Sequence, residues 1–209
     1  MRASFRFQRF VQTGVKTYNP DLGSEYAERY YLNPNPNFYY AKVDCTNFVC
    51  QCIWAAYGGW YPDITQEQMV ENIKNKVSMV AGTYANGWYG NQGGGTHAWE
   101  NVDALWWRVT SNPYLGPKAV GLNYGKNYKE VDPSVIKKGD VVQLSLNGYD
   151  YHHSAYVIKA ADEGGGFDTI YVAQHTKNVI RTLSDAIAGN GGDDCYMSVL
   201  QFQDAVFSQ

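Results

Sequence analysis

The sequence predicts an α+β fold in one domain, with helices first and an antiparallel sheet after them. In the first half of the chain, apolar residues recur at helical spacing, most clearly over residues 44–56. From about residue 127 they alternate with polar residues at a period of two, which is typical of strands. Glycine-rich turns such as Lys138-Gly139-Asp140 separate these later segments. Helices followed by strands indicate an α+β class.

The individual elements follow from the same patterns. Helices are predicted over residues 25–32, 44–56, 65–76 and about 97–110, and the alternating Asn and Pro of residues 33–37 separate the first two. Strands are predicted over residues 141–146, 153–160, 168–175 and 196–202. The glycine-rich residues 162–166 should turn a hairpin, and Leu183–Ala188 reads as one helical turn or a loop.

Composition narrows the possible functions. The chain has 209 residues, 44% of them hydrophobic, which is enough for one packed domain. Charged residues make up 18%, against roughly 25% in typical soluble domains, while Tyr (18) and Gly (21) are abundant. Such a surface is typical of extracellular or envelope proteins, although a Tyr-rich core would explain the composition equally well. The net charge of −3 and the scattered basic residues argue against nucleic-acid binding.

The sequence shows neither a membrane span nor a leader. No apolar run approaches the roughly 18 residues that a spanning helix needs. The first seven residues begin with a basic residue, but no apolar stretch follows, so no signal peptide is expected in the chain as it stands. The chain could equally be a piece of a longer secreted protein. The pattern does not indicate an oligomeric state.

The four cysteines are Cys45, Cys50, Cys52 and Cys195. Disulfide frameworks distribute their cysteines to join distant loops, so three cysteines in one helix argue against such a framework. An ideal helix turns about 100° per residue, which points Cys52 almost the same way as Cys45 but about 10 Å deeper. We therefore expect Cys52 to be a core residue and Cys50 to lie on the back of the helix.

Cys45 alone combines the core-facing stripe with the helix N-terminus. Asp44 is a suitable N-cap residue, which places Cys45 at the first helical position. The positive end of the helix dipole favours a thiolate, and the unpaired N–H groups of the first turn can donate to an oxyanion. The Asp44 carboxylate opposes the thiolate unless capping occupies it. A buried cysteine that merely begins a helix is the simpler alternative.

A base for Cys45 must be one of four histidines: His97, His152, His153 and His175. His153 opens a predicted strand, and strand alternation places it on one face with Ala155 and Val157. Because these neighbours are small and apolar, we expect that face to meet the cysteine helix and His152 to point away. His97 and Glu100 have His-x-x-Glu spacing, but we expect them to cap and line a helix start.

The third member of the site depends on the register of the predicted hairpin. A hairpin symmetric about Gly164 would put His175 beside His153, as an orienting group. A shift of one half-step would present Gln174 or Thr176 instead. Two alternatives remain open for these side chains: a structural histidine pair, and a metal site formed by Cys45, His153 and His175.

These residues resemble those of a known family. The segment from Asp44 to Cys52, then Gly58-Gly59, then Lys138 to Gln143, then His153-Ser154, then Gln174 to Thr176 resembles the bacterial putative amidase domain family. That family resembles the papain-like cell-wall amidases and endopeptidases, which include the cysteine, histidine-dependent amidohydrolase/peptidase domains. The resemblance spans about residues 26–202. It departs at Cys50, where a serine is expected, and residues 72–96 are less familiar.

The resemblance implies a papain-like single domain over residues 1–209 that hydrolyses an amide bond through a thioester. It implies Cys45 as nucleophile, His153 as base and His175 as orienting residue, with no metal or cofactor. It also implies cell-wall peptide (peptidoglycan) as substrate and an extracellular or envelope location. A second oxyanion donor is expected from Tyr39 or Tyr40.

Two other functions compete with a hydrolase. One is a catalytically inactive module that binds cell wall or protein, and the intact set of Cys45 and its histidines argues against it. The other is a transglutaminase-like acyl transferase, whose third member would be Asp168, a poorly placed residue. Six tryptophans could line a substrate groove, although most are expected in the core: Trp54, Trp60, Trp88, Trp99, Trp106 and Trp107.

Overall fold

The computed structural model describes residues 13–111 and 115–208. Over these residues it contains six α-helices and ten strands. The helices are α1 (Pro20–Tyr30), α2 (Cys45–Ala56), α3 (Gln66–Lys74), α4 (His97–Glu100), α5 (Val102–Thr110) and α6 (Leu183–Ala188). The strands are β1 (Thr13–Lys16), β2 (Gly90–Asn91), β3 (Gly94–Gly95), β4 (Lys118–Leu122), β5 (Val141–Ser145), β6 (Tyr151–Lys159), β7 (Tyr171–Gln174), β8 (Val179–Thr182), β9 (Tyr196–Gln203) and β10 (Ala205–Ser208).

A six-stranded sheet forms the centre of the domain, in the order β4-β9-β5-β6-β7-β8. All five pairings are antiparallel, so the predicted α+β class is confirmed. The four predicted strands are present as β5, β6, β7 and β9. The sheet also begins earlier than expected, with β4, and gains β8 at its other edge. The short pairs β1-β10 and β2-β3 lie outside it.

Helix α2 lies in the middle of the first hydrophobic core. All twelve of its residues are buried, because α1, α4 and the sheet surround it. Cys52 is fully buried there, as predicted. Cys50 is on the back of the helix but also fully buried, and its thiol donates to the carbonyl oxygen of Ala98 in α4 at 3.7 Å. The helix is therefore a core helix and not an amphipathic one.

A glycine in α1 allows the helices to approach the sheet closely. A side chain at Gly23 would collide with the hydroxyl of Tyr156 on β6 and would also crowd the backbone of Cys52. The Tyr156 hydroxyl in turn lies 3.0 Å from that of Tyr18. The absence of a side chain at Gly23 therefore allows α1 to pack closely against both α2 and β6. This packing helps to fix the position of the α2 N-terminus relative to β6.

Strand β6 separates two hydrophobic clusters. Tyr156 belongs to the cluster of α1 and α2, whereas Ala155 and Val157 belong to the opposite cluster, with Leu183 and Ile187 of α6. The prediction that the Ala155 and Val157 face meets the cysteine helix is therefore wrong. Both faces of β6 are apolar, so alternation separates the two faces without indicating which one the helices cover.

Local capping explains where the helices differ from the predictions. Helix α1 begins five residues early because Asn19 accepts the N–H of Asp21 and Pro20 occupies the first turn. The predicted helix over residues 97–110 is two helices. Asn101 is extended between them, and its side chain caps α5 through the N–H of Ala104. Leu183–Ala188 is helical, as α6.

Within the described ranges, no helix is long and apolar enough to cross a membrane. The N-terminal residues considered above as a leader lie outside the described residues.

Candidate active site

Cys45 begins α2 and lies against the backbone of β6. Its Sγ is 3.9 Å from the carbonyl oxygen of His152 and also receives a hydrogen bond from the backbone of Ser154. These two peptide groups flank His153. On its other sides Cys45 packs with Val102 and Tyr151, and only 3% of the residue is exposed. The helix N-terminus therefore delivers the thiol to the strand at the position of His153.

The surroundings of Cys45 favour a neutral thiol. Burial raises its pKa, and the negative charge of Asp44 adds to that shift. Hydrogen bonds from Ser154 and Thr46 act in the opposite direction but are smaller effects. Cys45 therefore rests as a neutral thiol, and it would need a base to remove its proton before it could act as a nucleophile.

Gln174 on β7 holds the His153 ring. Its Oε1 is 3.0 Å from His153 Nε2 and accepts two hydrogen bonds from Arg181, from Nε at 3.2 Å and from Nη2 at 3.1 Å. A guanidinium can only donate, so the amide atom between Arg181 and His153 must be the oxygen. His153 therefore donates through Nε2, which leaves the lone pair of the neutral ring on Nδ1.

The charge state of His153 agrees with a role as a base. Its pKa is lowered to about 4, mainly by burial and also by the positive charges of Arg181, His152 and Lys177, while the hydrogen bond to Gln174 acts in the opposite direction. The ring is neutral at pH 7, so Nδ1 can accept a proton. At rest Cys45 is thus a thiol and His153 a neutral imidazole.

The two side chains are neighbours without being hydrogen-bonded. His153 alternates with Ala155 and Val157, so its ring lies with Gln174 on the sheet face opposite α2, while the Cys45 thiol contacts the backbone of the strand at His152. Within the described part of the chain, no hydrogen bond joins Sγ to the ring. Proton transfer between them would therefore require side-chain rotation, and catalytic hydrogen bonds often tighten only when substrate is bound.

The hairpin between β6 and β7 does not have the register expected from symmetry about Gly164. Tyr156 pairs with Ala173 and Val157 with Val172, one residue away from that register, and an irregularity follows before Lys159. Because a shift of one residue exchanges the two faces of a strand, Gln174 comes to the face of the His153 ring. This is the half-step alternative considered above, and it turns His175 to the opposite face.

His175 lies on the α2 side of the sheet and pairs with Asp44. Its Nδ1 is 2.6 Å from Asp44 Oδ2, and its Nε2 is 3.0 Å from the carbonyl oxygen of Tyr30. Its ring stacks on Phe48 with 3.9 Å between centroids, and both His175 and Asp44 are 1% exposed. Since both ring nitrogens face acceptors, the ring with Asp44 is a buried, hydrogen-bonded pair that fastens the start of α2 to α1 and β7.

This pairing corrects the expected role of Asp44. It occupies the N-cap position, but its side chain makes no cap hydrogen bond. One carboxylate oxygen binds His175, and the other accepts from the Asn47 amide at 2.8 Å. The pairing with a histidine, and not capping, is what occupies the carboxylate next to Cys45.

Comparison with known proteins agrees with the resemblance seen in the motifs. The family model described as a putative amidase domain matches residues 17–198. The chain belongs to this family. It is 27% identical over 207 residues to the uncharacterized protein YjcM of Bacillus subtilis (strain 168), with 90% of this chain and 38% of that protein covered. The amidase chain thus spans well under half of that relative. No solved structure matches it.

Two clefts of the amidase domain flank Val43, which precedes the N-cap. One, of about 200 Å³, is lined by His153, Gln174, Lys177 and Arg181 among others. The other, of about 170 Å³, lies towards Tyr39, Asn47 and Glu100. Val43 lines both clefts and is 68% exposed. The N-terminus of α2 therefore lies between two surface depressions.

A polar row beneath Cys45 was not anticipated from the sequence. Thr46 Oγ1 is 3.4 Å from Ser154 Oγ on β6. Ser154 stands opposite Gln143 on β5, and Gln143 opposite Ser198 on β9. The Gln143 amide donates to the carbonyl oxygen of Val102, which packs beside Cys45. The sequence did carry a signal for this row, because Gln143, Ser154 and Ser198 are polar residues at core-facing positions of three strands.

The expected oxyanion donors have other partners. The N–H of Tyr39 donates to the carbonyl oxygen of Asn91, and the Tyr40 hydroxyl donates to Asn178. The N–H groups at the start of α2 remain, because the first backbone bond within the helix runs from the N–H of Phe48 to the carbonyl oxygen of Asp44.

The remaining candidates lie away from Cys45. Asp168 lines a different cavity with Tyr128 and Phe167. His97 stacks on Tyr84 at the start of α4. In the described ranges, no group of three metal-binding side chains could hold an ion. Five of the tryptophans are buried and Trp107 is 56% exposed: Trp54, Trp60, Trp88, Trp99 and Trp106 are the buried ones.

Proposed function

We propose that this member of the amidase family is a cysteine hydrolase that cleaves an amide bond, with Cys45 as nucleophile and His153 as general base. The observation that carries the proposal is the chain of contacts from Arg181 through Gln174 to His153 Nε2. It leaves the basic Nδ1 available on a strand whose backbone contacts the Cys45 thiol.

The proposed reaction has two steps. His153 Nδ1 takes the proton of the Cys45 thiol while Sγ attacks the amide carbonyl, and the protonated ring then gives that proton to the leaving amine. The products of the first step are a thioester on Cys45 and a free amine. His153 then removes a proton from water, which attacks the thioester and releases the carboxylic acid and the thiol. The first-turn N–H groups of α2 stabilise the oxyanion in both steps.

The third role is assigned to Gln174. A group that orients the base must contact it, and Gln174 does so, whereas His175 contacts Asp44. In this proposal His175 anchors α2 and so positions Cys45 indirectly. The assignment of His175 as the orienting residue is the competing hypothesis. A Gln174→Ala variant that kept full activity would favour it.

The proposed substrate is a cell-wall peptide, and the proposed location is the envelope or the exterior of the cell. Support comes from the resemblance to cell-wall amidases and from a chain with few charged residues. Several exposed tyrosines agree with a surface that binds by stacking, among them Tyr39, Tyr84 and Tyr149.

The test is digestion of purified peptidoglycan, with new amino groups counted and fragments identified by mass. We expect release with the wild-type protein and none with Cys45→Ala. Cys50→Ser is the matched control, since that thiol is buried behind α2 and should be dispensable. Limiting iodoacetamide should label Cys45 first, because the other three cysteines are fully buried. Cleavage that survives Cys45→Ala would refute the assignment.

One observation favours a second function. The Cys45 thiol is 3% exposed and has no hydrogen bond to the His153 ring among the described residues, as a binding module without activity would allow. Such a module would sediment with intact peptidoglycan, equally as wild type and as Cys45→Ala, without releasing amino groups.

A further inference from the structure

The cleft beside His153 carries positive charge. Lys177 and Arg181 line it together with His152 and His153, and no Asp or Glu is among its lining residues. The uncharged part of the lining includes Asn190. A cavity of about 200 Å³ holds the volume of about seven waters, which is the size of one amino-acid residue.

Within the described ranges, neither cation forms an ion pair with a carboxylate. Lys177 is exposed and forms no ion pair there. Arg181 donates to Gln174 and, through Nη1, to the backbone carbonyl of Asp185 at 3.3 Å, so some of its five N–H groups remain unused. The Asp185 carboxylate acts on Arg181 through space, but it does not line the cleft.

The cleft lies where a leaving group would go. His153 lines it and Cys45 does not. In the proposed reaction His153 gives its proton to the leaving amine, so the residue that carries this amine must lie on the His153 side. The second cleft, beyond Val43, would then take the acyl side.

We propose that this cleft binds a free carboxylate on the leaving-group residue, so that the enzyme prefers amide bonds whose amine side carries that carboxylate close by. The ligand class is an N-substituted amino acid or short peptide with an unblocked carboxylate. This inference rests on the proposed function for the direction of the substrate, but binding of the carboxylate itself does not require catalysis.

The positive charges around the cleft also affect the proposed base, His153. Arg181, His152 and Lys177 all lower the pKa of His153. A bound carboxylate would offset this field and make His153 a better proton acceptor when the matching substrate is present. A neutral ligand of the same shape would leave the positive field at His153 unchanged.

The experiment compares two probes that differ in one group: N-acetyl-D-alanine and N-acetyl-D-alaninamide. Each is titrated into ¹⁵N-labelled protein, and the backbone signals of Thr176, Gly189 and Asn190 are followed. We expect the carboxylate to bind about tenfold more tightly than the carboxamide, because a charge-assisted hydrogen bond is the difference. Equal affinities would overturn the proposal, and so would shifts confined to other parts of the chain.

Two lysine variants make the test specific. Lys177→Gln should weaken binding of the carboxylate about fivefold or more and leave that of the carboxamide unchanged. Lys159→Gln is the matched control, since its ammonium pairs with Asp162 at 2.9 Å outside the cleft, and it should change neither affinity. An unchanged preference in Lys177→Gln would refute the role of this charge.

The outcome separates this inference from the proposed function. Cys45 does not line the cleft, so Cys45→Ala should retain the preference for the carboxylate. A preserved preference without any peptidoglycan cleavage would refute the hydrolase and leave the carboxylate site standing. If peptidoglycan cleavage depends on Cys45 but the protein binds the carboxylate and the carboxamide equally, the carboxylate site is refuted and the hydrolase stands.

Discussion

Substituting glutamate for Gln174 tests the base directly. The variant keeps the size of the side chain and an oxygen facing His153 Nε2, which is 3.0 Å away. It adds a negative charge beside the ring. In the wild type, burial and nearby positive charges hold the pKa of His153 at about 4, well below its usual 6.5. A carboxylate at this position favours the protonated ring, so the pKa must rise.

The size of the rise can be worked from the contact. Two unit charges about 4 Å apart interact by about 4 kcal/mol at an effective dielectric constant of about 20, which is roughly three pKa units. Arg181 also contacts this oxygen and would take part of the new charge. We therefore expect the pKa of His153 to rise by about one to two units, to between about 5 and 6.

The assay is a pH titration of the four histidine rings by NMR, with each signal assigned by substitution. Activity should follow the same ionisation. The base must be neutral, so the acid limb of kcat/KM should lie near pH 4 in the wild type and move up by the same amount in Gln174→Glu. Asn190→Asp is the control, since it adds the same charge to the cleft beside His152 without contacting His153.

Three results would refute this reasoning. A wild-type His153 that titrates near 6.5 would mean that its ring is not desolvated. An equal rise in the pKa of His153 in Asn190→Asp would mean that the direct contact with residue 174 does not account for the effect. If the pKa of His153 rises in Gln174→Glu while the acid limb of kcat/KM stays where it is, His153 is not the base.

Three further predictions concern other residues of the domain. Asp44→Ala removes the carboxylate that lies 2.6 Å from Nδ1 of the buried His175 and should lower the free energy of unfolding in urea by about 2–3 kcal/mol, whereas Asp162→Ala at an exposed pair should lower it by at most about 1 kcal/mol; similar costs would contradict a buried hydrogen-bonded pair. Burial raises the pKa of Asp140 to about 6, so the unfolded state loses this proton first and stability falls as the pH rises from about 4 to 6. Asp140→Asn should therefore stabilise the protein at pH 7 by up to about 3 kcal/mol and little at pH 4; equal melting-temperature changes at both would contradict this. Arg181→Met frees the amide that it orients and should lower kcat about tenfold or more without unfolding the domain; unchanged kcat would exclude a positioning role.

Local sequence was sufficient for most of the elements and for the position of the candidate nucleophile. The α2 helix, its start at Cys45 and the burial of Cys52 all follow from helical geometry applied to one segment, and they are present as expected. The predicted strands follow from alternation within each segment. These features depend on residues a few positions apart, whose relative directions are fixed by the backbone geometry of a helix or strand.

Only the tertiary structure decided which faces meet. Alternation could not show that α2 covers the Tyr156 side of β6, because both sides are apolar. Hairpin symmetry could not give the register, because an irregularity near Lys159 shifts it by one residue. That single step exchanges Gln174 and His175 and changes which of them contacts His153. The sequence alone therefore determined the candidate nucleophile and base, whereas the orienting group depends on contacts between distant segments, which a local pattern does not encode.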